Sequence, residues 1–401
     1  MTNEQGLLLK LISKALFSRN IDQNEFTDWD GVFNEAKAQS VFLLAYQTAD
    51  RSVVPEETIN KWKNNAGAAL VNNIMVIKNH VRIDEWMTKA GIPYVILKGC
   101  ASANYYPDPT LRAMGDVDFL VPTECVKAAG NILEDKGFHS EDNGHPAHIG
   151  YYDRSGVYEL HFKVTGIPEN DVGRRIHDLL SDIHAKASRK SVVFGSAVLP
   201  SDFHHGLVML VHTCCHITSG GIGLRHLCDW AVFVNSFSEE EFTDIFEEKL
   251  KSVGLWKFAE ALSLASIKYL GADDKGFAHE CGDSIAEGLI EDILSGGNFG
   301  RKDENRMMQS ALISSRNEID VDKSKGMFGQ YFRSKVEMVG IRWPAARRHK
   351  ILLPAGFVYF GAARLIGILT GKRKRQFSHE IVDGAATRKK LYSSLEFYKL
   401  S

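Results

Sequence analysis

The sequence predicts an α+β protein, a small mixed α/β sheet flanked by helical N-terminal and C-terminal regions. Three observations carry this expectation. Apolar residues near the N-terminus recur at helical spacing. Three short strand-forming runs crowd into residues 91–165, with a helix between the second and third. Residues 200–295 then return to helical periodicity. The chain has 401 residues, 44% hydrophobic and 24% charged, the composition of a globular protein of two or three domains. That composition excludes a disordered chain, a collagen and a long coiled coil.

Residues 1–90 read as a helical N-terminal region. Leu7, Leu8, Leu11, Ile12 and Ala15 fall on one stripe of a 3.6-residue period, and 41–46 and 66–86 carry similar patterns. Residues 91–165 form the sheet-bearing core. Pro93-Tyr94-Val95-Ile96-Leu97 is a run of strand formers, 116–122 is a second, and 157–164 alternates strictly. Residues 124–136 read as a helix ended by Gly137, and Arg154-Ser155-Gly156 as a hairpin turn. A helical domain is expected over 166–335, marked by 207–215 and 224–234, with a polar, loop-rich stretch at 298–325. The remainder, 336–401, is a basic and apolar helical tail.

The formal net charge of −2 disfavours a surface that wraps nucleic acid. Charge is nonetheless unevenly spread. Residues 341–375 hold nine Lys/Arg and no acid, which leaves −11 on the rest of the chain. Within that segment, 351–370 is a mostly apolar stretch interrupted by Pro354 and Arg364. Its length matches a bilayer span. The proline, the glycines and the arginine favour instead a buried or groove-covering helix. An interfacial segment on anionic lipid, giving peripheral contact with the inner membrane surface, is the next reading. Six cysteines show neither a CxxC pair nor a disulfide-framework spacing, and the N-terminus has no signal-peptide pattern. A reduced, cytoplasmic protein is therefore expected.

Candidate chemistry concentrates in three pieces. Lys98-Gly99-Cys100 ends the first strand, Arg112 leads into Asp116-Val117-Asp118 on the second, and Glu159 and His161 share one face of the third. Side chains alternate across a strand, so Val117, Phe119 and Val121 point to the core while Asp116 and Asp118 point away from it. If the second and third strands are neighbours, three carboxylates converge. Crowded carboxylates raise one another's pKa, and a divalent cation relieves that cost. Oxygen donors without thiolate suit Mg²⁺ or Mn²⁺. A strand ending in Lys-Gly before a helix offers backbone N–H groups to phosphate, with Lys98 and Arg112 to neutralise charge.

Leu-Lys98-Gly99, Arg112-x₃-Asp116-Val-Asp118 and Tyr-Glu159-Leu-His161 resemble the nucleotidyltransferase superfamily of the DNA polymerase β type. They are most similar to a bacterial family of largely uncharacterised nucleotidyltransferases, often associated with capsule and exopolysaccharide gene clusters. The resemblance covers residues 90–165 most clearly and extends loosely to Leu224–Asp229 and Gly296–Gly300. It implies transfer of a nucleoside monophosphate from an NTP to a hydroxyl acceptor, with release of pyrophosphate. Asp116, Asp118 and Glu159 would hold Mg²⁺. Glu159 would act as metal ligand or base, with His161 as the other candidate base. Lys98, Gly99, Ser102, Arg112 and Arg225 would bind the triphosphate. It also implies that the later helices cover the cleft. A protein-AMPylating regulator or antitoxin, and an inactive NTP-binding module in polysaccharide synthesis, stand as alternatives.

Other polar residues fall in the later helices. His205, His212 and His216 share one helical face and could meet a metal, a nucleotide or an acceptor. Arg225 and Asp229 are spaced to pair at i, i+4. Cys214-Cys215 reads as core packing, and Gly296–Gly300 as a turn.

Overall fold

The computed structural model describes residues 1–23, 28–141, 145–316, 343, 352–356, 358–359, 362 and 379–400. The chain divides into two compact units, Met1–Asp303 with Leu391–Ser401, and Glu304–Lys390.

The first unit opens with four helices. A capping box starts α1 (Asn3–Phe17), in which the Thr2 hydroxyl accepts from the Gln5 N–H and the Gln5 side chain accepts from Thr2. The Asp28 carboxylate caps α2 (Trp29–Ala38) at the Gly31 N–H. Trp29 and Phe33 of α2 and Phe42 of α3 (Phe42–Thr48) meet Trp62 of the following helix in an aromatic cluster with edge-to-face contacts. The 66–86 pattern lies inside one helix of 34 residues, α4 (Glu56–Lys89), whose second half contributes Val76, Ile77, Ile83 and Met87 to the core under the sheet.

The sheet region runs β1 (Val95–Ile96), α5 (Cys100–Ala103), β2 (Val117–Leu120), α6 (Val126–Asp135), β3 (His139–Glu141), β4 (His148–Asp153) and β5 (Gly156–His161). The strand order is β1-β2-β5-β4-β3, with β2 and β5 parallel and the other pairs antiparallel. The expected mixed sheet, helix and hairpin are all present. Asp153 closes the hairpin by accepting from the Ser155 and Gly156 N–H groups. β3 was not expected: its His-Ser-Glu sequence carries no apolar alternation, and it exists through its pairing with β4. Val117 opposes Tyr158 and Phe119 opposes Leu160, and all four are fully buried. The register places Asp118 beside Glu159 and Leu120 beside His161 on the other face.

After α7 (Asp171–Leu180) and α8 (Ile183–Lys186), a separate hairpin of β6 (Ser188–Val192) and β7 (Gly195–Leu199) interrupts the helices. Tyr94 anchors it, donating to Asp84 at 2.5 Å and accepting from the Val198 N–H at 2.9 Å. Five helices follow: α9 (Asp202–Ser219), α10 (Leu224–Asn235), α11 (Glu239–Lys251), α12 (Trp256–Ala265) and α13 (Asp283–Gly296). Trp230, Phe233, Phe242 and Phe246 fill the space among them. The last residues also belong to this unit, with the Tyr392 hydroxyl donating to the Ile217 carbonyl at 2.6 Å.

The second unit is described chiefly at α14 (Arg306–Arg316) and α15 (His379–Leu395), the latter as far as Lys390. A loop was expected where α14 lies. Its polar residues Arg306, Gln309 and Ser310 are buried, and Arg388 donates to the Arg306 carbonyl and to Gln309, so polarity there marks an internal contact rather than a solvated loop. Residues 317–325 and almost all of the basic 341–375 segment, including most of its apolar run, lie outside the described residues. No helix among the described residues is long and apolar enough to cross a membrane. All six cysteines are free thiols.

Candidate active site

One pocket in the first unit, with a volume of about 400 Å³, collects most of the residues singled out in the sequence. Its first wall is the polar face of β2 and β5. Parallel pairing sets the Asp118 and Glu159 side chains next to each other, and Asp116 approaches from just before β2. Carboxylate oxygens of Asp116, Asp118 and Glu159 lie within 4.8 Å of one another. The convergence expected from strand alternation is therefore present.

β1 delivers Lys98 to this cluster. Antiparallel pairing continues one step past the strand, where the Leu97 N–H donates to the Asp118 carbonyl at 2.9 Å. The next side chain, Lys98, places its Nζ 2.8 Å from Asp118 Oδ1. His161 Nε2 meets the same oxygen at 3.0 Å and Glu159 Oε2 at 3.3 Å. His161 is fully buried.

The charges are mutually compensating. Burial raises the Asp118 pKa, but Lys98 and His161 outweigh it and hold the carboxyl well below the usual range. Burial lowers His161, yet hydrogen bonds to Asp118 and Glu159 leave its pKa raised overall. Lys98 behaves alike, with burial opposed more strongly by Asp118 and Asp116. Asp116 shares less of this help. Burial and then repulsion from Asp118 push it up to about 6.

The turn after β1 has a structural reason of its own. Gly99 sits at φ 63°, ψ −112°, a conformation that favours glycine. A Cβ there would lie 2.2 Å from Nε2 of His80, a fully buried α4 residue packed against the turn. Ser102 in α5 is buried, with its hydroxyl 3.4 Å from His205 Nε2 and 3.8 Å from Met209 Sδ.

The second wall comes from α9, α10 and the 298–300 turn. The expected Arg225–Asp229 pair does not form. Asp229 instead takes Arg112 in a bidentate pair, with Nε and one terminal nitrogen each at 2.7 Å, and accepts from the Tyr106 hydroxyl at 2.8 Å. The fork of Arg112 matches that carboxylate, whereas Arg225 lies on the same helix as Asp229 and points elsewhere. Arg225 donates to the Ala113 carbonyl at 3.4 Å, lies over the Phe299 ring and leaves its Nε without a partner. Of the two arginines, Arg225 therefore has the uncommitted donor.

His212 and His216 of α9 also line this wall, with Nε2 atoms 2.9 Å apart. His205 does not join them. It stacks on Tyr105 at 5.6 Å, outside the pocket. The third member is His226 of α10, and Phe299 covers His216 and His226 at ring distances of 4.9 and 5.9 Å.

Sequence reasoning missed His226, His148 and Phe299 as pocket residues. His226 and Phe299 lie inside the two later motifs, of which only Arg225 was expected at the site. His148 is visible only through the register, where it opposes His161 across β4 and β5. Its Nδ1 lies 3.9 Å from Glu159, and it stacks on His145.

Three carboxylates aimed at one point, with no sulfur among them, form a donor set that suits a hard divalent cation. The raised pKa of Asp116 marks the uncompensated charge that such an ion would neutralise.

The model of a protein family described as uncharacterised nucleotidyltransferase matches residues 25–269, more than half of the chain. No curated protein matches. The matched span includes β1 to β7, α9 and α10, and so nearly the whole pocket; Phe299 lies beyond it.

Proposed function

The chain belongs to this uncharacterised nucleotidyltransferase family, and from that premise we propose that it moves a nucleoside monophosphate from an NTP to a hydroxyl acceptor. The acceptor is a small molecule or a saccharide, and pyrophosphate is released. One observation carries the reading: the strand register brings Asp116, Asp118 and Glu159 within 4.8 Å of one another beside Lys98.

In the proposed reaction the acceptor oxygen attacks the α-phosphorus. The bond to the bridging α–β oxygen breaks, pyrophosphate leaves with that electron pair, and the hydroxyl proton passes to a base. Glu159 is that base. Its side chain is 27% exposed, whereas His161 is 1% exposed and already turns Nε2 to two carboxylates. His161 is thus a positioning residue that fixes Asp118 and Glu159 relative to each other. Asp116, Asp118 and Glu159 would hold Mg²⁺ or Mn²⁺, which when bound supplies charge neutralisation for phosphate oxygens.

Lys98 and Arg225 bind the phosphates. Arg225 has an unpartnered donor, and Lys98 exchanges part of its pairing with Asp118 for a phosphate oxygen. Arg112 supports this wall through Asp229. The contribution of Gly99 is a left-handed turn that carries Lys98 past β1 with no side chain to collide with His80. Little covalent chemistry is required of the protein, since positioning and charge do most of the work in phosphoryl transfer.

Thermal unfolding with ATP, GTP, CTP or UTP, with and without Mg²⁺, tests the reading. A ligand that binds only the native state raises the melting temperature. The expected result is a Mg²⁺-dependent rise with at least one nucleotide, absent from the Asp116→Asn/Asp118→Asn double variant. Pyrophosphate release with that nucleotide then distinguishes a transferase from a nucleotide-binding module. No rise with any nucleotide and no pyrophosphate release would overturn the assignment.

A further inference from the structure

His212, His216 and His226 bring three imidazoles together on the helical wall, with ligand nitrogens all within 4.8 Å of one another. Two lie four residues apart on α9, and the third comes from the first turn of α10. The group is distinct in residues and chemistry from the carboxylates opposite. It is nitrogen-only, with His226 buried and His212 and His216 half-buried, and it is not absorbed by the proposed transfer.

Burial lowers the pKa of all three, most strongly for His212 and His226, and holds His216 at about 4. The three imidazoles face one another within the pocket wall. The Nε2 atoms of His212 and His216 lie 2.9 Å apart. A single N–H···N hydrogen bond accounts for that contact alone. It leaves His226 Nδ1, on a residue only 8% exposed, with no hydrogen-bond partner. Ligand nitrogens around a tetrahedral zinc ion, at about 2.0–2.1 Å from the metal, would be about 3.3–3.4 Å apart. The observed spacing is a small adjustment from that value. One ion would bind the imidazole nitrogens that the two helices bring within 4.8 Å of one another.

The surroundings support the same occupant. Phe299 screens His216 and His226 from one side, an apolar cover of the kind that controls solvent access at metal sites. Phe299 is itself held at φ 58°, unusual for a bulky side chain and tolerated where the surrounding structure dictates it. Imidazole nitrogen favours borderline first-row ions such as Zn²⁺ over Mg²⁺. We propose that His212, His216 and His226 form a binding site for a zinc-class divalent cation, separate from the carboxylate cluster in the same pocket. Three protein ligands leave a fourth position for water or a substrate atom, the pattern of catalytic rather than structural zinc. This inference does not depend on the nucleotidyl-transfer reading.

The test uses the full chain, stripped with chelator and dialysed against Zn²⁺ in excess Mg²⁺, with bound zinc measured by elemental analysis. One zinc per chain is expected in the unsubstituted protein and in Asp116→Asn/Asp118→Asn. Affinity should fall in His216→Gln and His226→Gln by more than the roughly 10–100-fold that loss of an outer-shell partner costs. Circular dichroism checks that each variant folds. Should the histidine variants not fold, X-ray absorption of the zinc-loaded unsubstituted protein decides. Three imidazole nitrogens at about 2.0 Å support the site. Sulfur in the shell, fewer imidazoles, no retained zinc, or zinc lost with the carboxylate variants overturns it. None of these readouts involves a nucleotide, so failure here leaves the nucleotide experiment untouched.

Discussion

The two walls of the pocket solve the problem of burying polar groups in opposite ways. On the strand wall, Lys98 and His161 both meet the Asp118 carboxylate. On the helical wall, burial lowers the pKa of three imidazoles, while Arg112 and Asp229 form a bidentate ion pair. The strand wall is held by register and carries a residual cost at Asp116. The helical wall is held by packing and leaves unpartnered nitrogens at Arg225 and His226. The difference separates what each wall can recognise: oxygen donors take hard cations, and neutral imidazoles with a free guanidinium N–H take softer cations or phosphate.

The largest expected effect tests the claim that Arg112 is structural and Arg225 is not. Arg112→Met leaves the Asp229 carboxylate buried without its partner, at a cost of roughly 3–5 kcal/mol. Arg225→Met removes a poorly satisfied buried donor and should change stability by less than about 1 kcal/mol while weakening nucleotide binding. Urea unfolding of both variants gives the answer, and equal losses would erase the distinction.

Next in size is the strand wall itself. Asp118→Asn removes the carboxylate shared by Lys98 and His161, and pyrophosphate release should drop by about 10²–10³-fold with the fold intact. Undiminished turnover would move the chemistry away from these strands. Gly99→Ala then probes how the turn is built. The positive φ and the contact with His80 predict a loss of roughly 2–4 kcal/mol. His80→Ala in the same background should restore part of it, because only the contact and not the backbone strain is relieved. A double variant no more stable than the single one would mean that backbone conformation alone requires glycine.

The smallest effect concerns pH. The folded Asp116 pKa, about 6, is above the ordinary carboxyl value of 3.8. The native state therefore holds this proton more tightly than the unfolded chain, and stability from this group declines as pH rises from about 4 to 6. Metal-free Asp116→Asn avoids that decline. It should exceed the unsubstituted protein by about 1–2 kcal/mol at pH 8, after discounting for partial exposure, with the gap closing near pH 4. Chelator-treated samples unfolded in urea at several pH values would show it. A gap that does not change with pH would detach the effect from Asp116 ionisation.

Legibility in the sequence followed the locality of the interactions. Asp116, Asp118 and Glu159 could be placed on shared faces because a strand alternates with period two over a few residues. The hairpin at Arg154-Ser155-Gly156 and the helix stop at Gly137 are equally local. β3 was not readable, since its three polar residues become a strand only through β4. Asp229 illustrates a second limit. Helical spacing proposed Arg225 as its partner, but a residue 117 positions away along the chain, Arg112, offered the better bidentate geometry. The helix at 306–316 reads as polar loop because its partner residue, Arg388, lies 82 positions from Arg306 along the chain.

By itself the sequence determined the α+β class, the core strands, the family and the set of carboxylates on one face. Each depends on short-range periodicity or a compact motif, which survives without knowledge of the rest of the chain. Tertiary structure alone decided that β2 and β5 are parallel neighbours and that His161 is buried between two carboxylates. It also decided that Arg112 is the arginine paired with Asp229, and that His226 rather than His205 joins His212 and His216. Those outcomes turn on which distant segments share one buried volume, where an unpaired charge or donor costs more than any local preference returns.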